Sequence, residues 1–133
     1  FTPPLVKRLD KMGGSRYMYV THQDDVADHQ KFAEHFACER ILHQEEINSN
    51  TRDVEIQLSG EEPFKLSSEL LIITVPGHTK RHTVLLYKNK LLFTGDHLAW
   101  SDRLKHLVAF RNFCWYSWDE LQKSMPKLTN YSF

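Results

Sequence analysis

The chain has 133 residues, of which 41% are hydrophobic, and a domain of that length can bury a sizeable core. Lysine plus arginine and aspartate plus glutamate number 17 each, so the formal net charge is zero and no positive field favours a nucleic acid or an anionic membrane surface. We therefore expect one domain, 1–133, and the balanced charge argues against nucleic-acid binding.

The cysteines and the hydropathy indicate the compartment. Cys38 and Cys114 lie far apart and form no Cys-x-x-Cys motif, so we expect both to be reduced and buried. No apolar run reaches the roughly 18 residues that a membrane-spanning helix needs. Residues 1–10 also lack the zones of a secretion signal. These features predict a soluble, intracellular protein with no membrane span.

The first predicted elements are a short helix and a strand. Apolar residues recur at helical spacing over residues 5–12, after two prolines and before Gly13, which is typical of a helix and its stop. Residues 16–22 are aromatic and β-branched, which favours a strand that ends at His22.

A second helix and a second strand follow. Residues 22–36 are predicted to turn helical, with Asp24 or Asp25 as the residue that caps the first turn. The apolar residues 40–42 come directly after this helix. A strand, a helix and a strand in that order usually form a parallel βαβ unit, so His43 is expected at the carboxyl end of its second strand.

From residue 53 the pattern changes to consecutive strands that we expect to be mostly antiparallel. Residues 53–60 alternate, 70–75 are continuously apolar, 83–93 predict two strands around a Lys-Asn turn, and 107–110 form another short run. The chain closes with a helix over 117–128. Ser117 is its expected N-cap with Glu120 three residues on, and Pro126 shortens or kinks it.

Three predicted strands are followed by His22, Gly77-His78 and Gly95-Asp96. Strand ends lie at one edge of a sheet, where such side chains can converge, and glycine allows the sharp turn that directs the next side chain across that edge. Imidazole and carboxylate together suit zinc, iron or manganese. Hydrolysis is the natural reaction, because a bound metal acidifies water toward neutral pH.

This pattern resembles the metallo-β-lactamase superfamily, in which Pro-Gly-His-Thr-x-Gly carries one metal ligand and Thr-Gly-Asp carries a bridging aspartate. His78 and Asp96 match those positions, and His22 matches the first ligand of the family's Thr-His-x-His-x-Asp-His motif. The resemblance extends over nearly the whole chain. It implies an α/β fold, part of a four-layer αββα sandwich, and a metal-dependent hydrolase. The sequences of residues 22–28 and 94–100 are similar to those of a plant and cyanobacterial branch of the superfamily. This similarity implies that the protein is located in the cytoplasm or the plastid stroma.

The sequence departs from the family pattern at the second metal position. An ungapped alignment places Asp24 on the second histidine and replaces the final Asp-His pair by Val26 and Ala27, although Asp28-His29 restores the pair if the loop holds two extra residues. Arg81 stands where the family usually has glycine, and a bulky residue there is costly if φ is positive.

Most members of the family have roughly twice this length, as the resemblance implies. We therefore expect a chain truncated at both ends, without the opening strands and without the final histidine ligand. Sheet edges exposed in this way would favour oligomers.

The leading hypothesis is a hydrolase in which metal-bound hydroxide attacks the ester, thioester or amide carbonyl of a small molecule. His22, Asp24, His78 and Asp96 are the expected metal ligands, and Asp24 and Asp96 are also the expected catalytic residues. We expect zinc, with iron or manganese as alternatives, as one or two ions, or none if the site has decayed. The alternative hypothesis is a non-catalytic binding or structural module.

Each candidate residue also has a structural interpretation. His22 and Asp24 can cap a helix, while His78 and Asp96 can belong to a capped turn and a solvated loop. His29, His43 and His97 are the candidates for residues that support the site or line its pocket. A partly buried histidine with one hydrogen-bond partner and no role in the site is, however, the commoner case. His29, together with His35, His82 and His106, also fits a position at the surface or on the face of a helix. The aromatic residues 112–118 predict packing of the last helix, with substrate stacking as the alternative.

Overall fold

The computed structural model describes residues 1–24 and 26–133 as a mixed α/β fold. Its helices are α1 (Pro3–Lys11), α2 (His29–Phe36) and α3 (Trp118–Ser124), with 3₁₀ helices at Gln44–Glu46, Arg111–Phe113 and Met125–Asn130. Its strands are β1 (Tyr17–Tyr19), β2 (Glu39–His43), β3 (Ile56–Leu58), β4 (Phe64–Lys65), β5 (Leu70–Thr74), β6 (Thr83–Tyr87), β7 (Leu91–Phe93), β8 (Ala99–Ser101) and β9 (His106–Val108). Within the described ranges, no helix has the length and apolar character to cross a bilayer.

The first sheet contains the predicted βαβ unit. Strands β1 and β2 pair in parallel with Tyr19 opposite Ile41, and α2 forms the crossover between them. Strand β3 continues the sheet in parallel, with Ile56 also opposite Ile41. The parallel βαβ prediction is confirmed, and His43 is the last residue of β2 as expected.

The second sheet is antiparallel, in the order β4-β5-β6-β7. The turn between β6 and β7 has positive φ at both Lys88 (53°) and Asn89 (51°). Two consecutive left-handed residues match the twist of a hairpin, so the predicted Lys-Asn turn is confirmed. Strands β8 and β9 form a separate hairpin. Strand β8, at Ala99–Ser101, was not predicted.

Alternation along the strands divides the core among the layers. Ile41 and Leu58 of the first sheet pack with Ile72 of the second between the two sheets. Their neighbours in sequence point the other way: Leu42 lies on the outer face of the first sheet, and Ile73 packs on the far side of the second. Helix α2 contacts β1 and β2, while the C-terminal helical segment packs against Ile73 through Leu128. The expected α–β–β–α order of layers is therefore present.

The two predicted helix caps have different outcomes. Helix α2 begins at His29, with Asp28 as N-cap residue at φ 60° and no capping bond from its side chain. The prediction that Asp24 caps this helix is therefore wrong, and the alternative, Asp25, lies outside the described residues. Ser117 does cap α3, because its hydroxyl accepts a hydrogen bond from the Glu120 N–H at 3.2 Å.

Arg40 joins three elements of the first half. The guanidinium donates to both carboxylate oxygens of Glu55, at 2.6 and 3.0 Å, and to the Asp53 carbonyl at 2.6 Å. Another of its nitrogens donates to Nδ1 of His29 at 3.0 Å, since guanidinium has no acceptor. The hydrogen bonds from Arg40 hold the pKa of Glu55 down at about 2. This ion pair ties β2 to the approach of β3 and to α2.

Replacing Glu55 by glutamine is expected to lower the free energy of unfolding at pH 7 by about 1 to 2 kcal/mol, since Glu55 is partly solvent-screened. The folded pKa of Glu55 is about 2 and the ordinary pKa of a glutamate is 4.5, so the unfolded state takes up the proton first as pH falls. The stability from Glu55 is thus complete above pH 4.5 and disappears as pH falls through 2. Urea unfolding at pH 7, 5 and 3 measures this. A deficit independent of pH, or an equal deficit in Glu62→Gln at an exposed position, would contradict it.

Candidate metal centre

His22 lies in the loop that follows β1 and is buried. Its Nδ1 is 2.8 Å from the hydroxyl of Thr21, a contact that fixes the orientation of the ring. Its Nε2 lies 3.8 Å from Oδ2 of Asp24 and 3.5 Å from Oδ2 of Asp96. The imidazole therefore presents Nε2 to two carboxylates from different parts of the chain.

His78 lies in the loop between β5 and β6, where Gly77 makes the turn that the sequence predicted. Gly77 has φ 148°, and a Cβ at this position would collide with Leu121 of α3. The Gly77 carbonyl accepts from the Ser117 N–H, and the His78 carbonyl accepts from the N–H groups of Trp115 and Tyr116, all at 3.0 Å. The start of α3 thereby holds the His78 loop in place.

Asp96 follows β7, and Gly95 makes its position possible. Gly95 has φ 50°, and an added Cβ would lie only 2.8 Å from both His82 Nε2 and Thr21 Oγ1. The Asp96 N–H donates to His82 Nε2 at 3.3 Å. The Oδ2 of Asp96 lies 3.4 Å from Nε2 of His78. Glycine is therefore needed here for both conformation and close approach.

The four ligands predicted from the sequence converge. Donor atoms of His22, Asp24 and His78 all lie within 4.8 Å of one another, and Asp96 Oδ2 is within 3.5 Å of Nε2 of both histidines. Two donors about 2.1 Å from a tetrahedral metal lie about 3.4 Å apart, so the spacing fits a divalent ion such as zinc. Neither ring nitrogen of His78 has a hydrogen-bond partner among the described residues, as expected of a buried ligand.

The burial of these groups is uneven. Both histidines are buried, whereas the side chains of Asp24 and Asp96 are 50% and 55% exposed. The two imidazoles therefore form the buried side of the site. The carboxylates of Asp24 and Asp96 form its open side, which we call the mouth. A metal held there would have a side that water and substrate can reach.

His82 and His97 form a second layer of buried imidazoles. The His82 ring stacks on His22 with a centroid distance of 5.0 Å and on His97 at 6.0 Å. Burial, and then repulsion by the neighbouring histidines, holds the pKa of His82 well below its usual range, while burial and His78 lower the pKa of His97 to about 4. Both rings are therefore neutral at pH 7, which lets His82 accept from Asp96.

The expectation that His82 lies at the surface is wrong. Strand alternation could have predicted the burial of His82, because residues 82, 84 and 86 share one face and Val84 and Leu86 are core residues. His97, which was predicted to support the site, is fully buried, stacks on His82 and follows Asp96 in the chain, and its support role stays a prediction.

The other two predicted support residues lie outside the cluster. His29 Nδ1 accepts from Arg40, and the neighbouring Asp28 pairs with Lys31 at 2.6 Å, so the Asp28-His29 pair does not join the ligands. His43 Nδ1 accepts from the Glu45 N–H at 3.2 Å, and its Nε2 donates to the Gly60 carbonyl at 3.0 Å. Both ring nitrogens of His43 are thus used by the main chain.

The loop between His78 and His82 is held by two adjacent glutamates. The Arg81 N–H donates to Oε1 of Glu46 at 2.6 Å, and the Arg81 Nε donates to Glu45 at 2.7 Å. Arg81 is not among the residues with positive φ, so an arginine at the glycine position of the family pattern causes no backbone strain. Glu46 is a part of the site that sequence reasoning missed.

Three aromatic side chains of the segment before α3 are exposed, and one of them, Trp115, lies beside His78. Phe113, Trp115 and Tyr116 are all more than half exposed, so the expected packing of residues 112–118 is wrong for these three. The Trp115 ring lies 6.4 Å from the ring of His78, and Phe113 lies 6.5 Å from Trp115. Helix α3 packs through the buried Leu121 instead.

Comparison with solved structures identifies the fold. The BLEG-1 B3 metallo-beta-lactamase superposes with a TM-score of 0.71 at 17% sequence identity, covering 94% of this chain and 68% of that one. The chain has the metallo-β-lactamase fold. TTHA1623 in a di-iron-bound form superposes at 0.65 with 16% identity, covering 96% and 70%. A mutant of B. thuringiensis AiiA with N-decanoyl-L-homoserine at its active site gives 0.61 and 16%, covering 94% and 56%.

The chain thus spans between 56% and 70% of the length of these three structures. No protein-family model matches the sequence, and no curated protein matches it in sequence. At this level of identity the shared property is the fold, including the arrangement of layers that places strand ends at one edge.

Protein purified without chelator is expected to hold close to one equivalent of zinc, iron or manganese, because the donors have metal-ligand spacing. The His78→Ala, Asp96→Ala double variant is expected to lose it, since two of the four donors are removed. Elemental analysis measures the content, with His35→Ala at an exposed histidine as control. Equal metal content in the wild type and the double variant would contradict the assignment.

Proposed function

We propose that the chain is a metal-dependent hydrolase in which His22, Asp24 and His78 hold a divalent ion and Asp96 completes the site. The observation that carries this proposal is the convergence of four donors, from three separate strand ends, at ligand spacing. The fold is shared with a B3 metallo-beta-lactamase and with an N-acyl homoserine lactone hydrolase whose product lies at a catalytic metal center. The similarity to these two enzymes supports a hydrolytic reaction.

The buried histidines and the exposed aspartates have different roles in the proposed reaction. A divalent ion, when bound, polarises a carbonyl and acidifies water, which is the chemistry that ester, thioester or amide hydrolysis needs. Thr21 orients His22, and the start of α3 orients His78, so the imidazoles keep their donor atoms directed at the site. Asp24 and Asp96 face the open side, where a carboxylate oxygen can accept a proton from the attacking water.

We propose a single ion. Asp28 is paired with Lys31 and His29 with Arg40, so neither supplies a second position. Among residues 1–24 and 26–133, His22, Asp24 and His78 are the one group found with mutual metal-ligand spacing. The same observation favours the second candidate, a binding module without catalysis, because the family pattern is incomplete at this position.

We propose that the substrate is a small molecule with an apolar group next to the scissile carbonyl. Trp115 and Phe113 are exposed beside His78, and exposed aromatic side chains at the rim of a polar centre commonly bind apolar ligand groups. The balanced charge of the chain favours no polyanionic substrate.

The metal-loaded protein is expected to hydrolyse members of a panel of aryl and alkyl esters, thioesters and lactones. Activity should fall by at least about 100-fold in His78→Ala, because the ligand that holds the ion is lost. The measurement is initial rate with zinc, iron or manganese, before and after chelation, with His35→Ala as control. Stoichiometric metal without turnover of any substrate would favour the binding module.

Trp115→Ala is expected to raise KM by about 10-fold for substrates with an apolar group, because about 1 to 2 kcal/mol of aromatic contact is removed. The kcat and the metal content should be unchanged, since the Trp115 side chain contacts His78 only through ring edges and the main-chain hydrogen bond from Trp115 to the His78 carbonyl stays in the variant. Steady-state kinetics measure both. Trp100→Ala is the matched control, because Trp100 is similarly exposed but lies on β8. An equal effect of both variants would contradict a binding role for Trp115.

A further inference from the structure

Glu46 is a buried carboxylate that contacts both ligand loops. It ends the 3₁₀ helix Gln44–Glu46, which follows β2, and only 1% of its surface is exposed. Its Oε2 accepts from the Gln23 N–H at 3.2 Å, and its Oε1 accepts from the Arg81 N–H at 2.6 Å. Gln23 directly follows His22, and Arg81 lies in the loop that carries His78. One carboxylate therefore joins the two loops.

We propose that Glu46 is a positioning residue that sets the separation of His22 and His78, and this proposal rests on the proposed metal site. Hydrogen bonds from N–H groups to an ionised carboxylate are short and strong, and each oxygen serves one loop. The Arg81 guanidinium pairs with Glu45, so the bonds to Glu46 come from the main chain. Glu46 thus holds loop backbones rather than neutralising a side-chain charge.

The two loops need such a link because they belong to different sheets. His22 follows β1 of the first sheet, and His78 lies between β5 and β6 of the second. On the N-terminal side of His22, the Thr21 carbonyl accepts from the Thr83 N–H at 2.9 Å. Glu46 provides the link on the C-terminal side. His22 is therefore flanked by two connections between the sheets, which together fix its distance from His78.

Glu46 is itself held in position by His43. The His43 side chain accepts from the Glu45 N–H and donates to the Gly60 carbonyl, which anchors the first turn of the 3₁₀ helix to the loop after β3. The predicted support role of His43 is thus exerted through Glu46.

The neighbouring Glu45 is a matched comparison. It contacts the same loop, with Lys80 at 2.8 Å and Arg81 Nε at 2.7 Å, but these are side-chain pairs and Glu45 is 31% exposed. Exposed pairs of this kind contribute little to structure. Changing Glu45 leaves the two backbone hydrogen bonds of Glu46 in place.

The test compares Glu46→Gln with Glu45→Gln. Glutamine keeps the size of the side chain but turns one acceptor oxygen into an NH₂ group, which faces an N–H donor. Zinc affinity, measured by competition with a chelator, should fall by about 10- to 100-fold in Glu46→Gln, as for other groups that orient metal ligands. The visible spectrum of the cobalt-substituted protein should change as well. Glu45→Gln should stay within about twofold of the wild type in affinity, with the same spectrum.

The outcomes separate this proposal from the proposed function. Wild-type protein that binds no zinc or cobalt would overturn the metal site itself. Wild-type binding with an unchanged affinity and spectrum in Glu46→Gln, or an equal loss in Glu45→Gln, would overturn the role of Glu46 alone.

A measurement on the wild type covers the case in which Glu46→Gln fails to fold. Amide hydrogen exchange of Gln23 and Arg81 in the metal-free protein should be slow, because Glu46 holds both N–H groups before metal binds. Exchange of these two amides at the rate of an unstructured chain, in otherwise folded protein, would overturn the proposal.

Discussion

The site depends on holding two imidazoles from different sheets within ligand distance of one carboxylate. His22 and His78 each lie about 3.5 Å from Oδ2 of Asp96, although β1 and β5 share no hydrogen bonds. The two sheets are joined next to His22 by a main-chain hydrogen bond from the Thr83 N–H of β6 to the Thr21 carbonyl at 2.9 Å. Gly95 then lets the third loop approach Thr21 more closely than any side chain would permit.

Beneath the site lies a stack of three buried imidazole rings. His22, His82 and His97 stack in this order, and burial holds the pKa of His82 and of His97 below the usual histidine range. The carboxylates of Asp24 and Asp96 lie on the open side of the site, whereas the imidazoles are buried. In the proposed site, a divalent ion would lie between these carboxylates and the imidazoles of His22 and His78.

The shared fold does not imply a shared ligand set. Where the family pattern has a second histidine this chain has Asp24, so the predicted donor set is richer in oxygen than the family pattern. Asp28 and His29, which could have restored the Asp-His pair, have other partners: Asp28 pairs with Lys31, and His29, the first residue of α2, accepts a hydrogen bond from Arg40. The buried Arg40 links α2 to β2, so the residues next to the site hold the first sheet together.

Most of the elements, and the four residues that converge at the site, could be predicted from the sequence. Alternation over residues 83–93, the Lys88-Asn89 turn and the Ser117 cap depend on neighbours in the chain, and the structure has each of them. Glycine before His78 and Asp96 marked the loops that turn toward one edge. The placement of other groups needed the tertiary structure. Asp24 does not cap α2 because the helix begins later, at His29.

Burial was the property that local sequence could not supply. His82 reads as part of a charged run, yet it is covered by rings from two other loops. Glu45 and Glu46 are identical in sequence terms, but only Glu46 meets N–H groups from two distant loops. Trp115 is typical of a packed helix start, yet the fold leaves it exposed. Whether a side chain is covered depends on which distant segment packs over it, and that is decided only when the sheets come together.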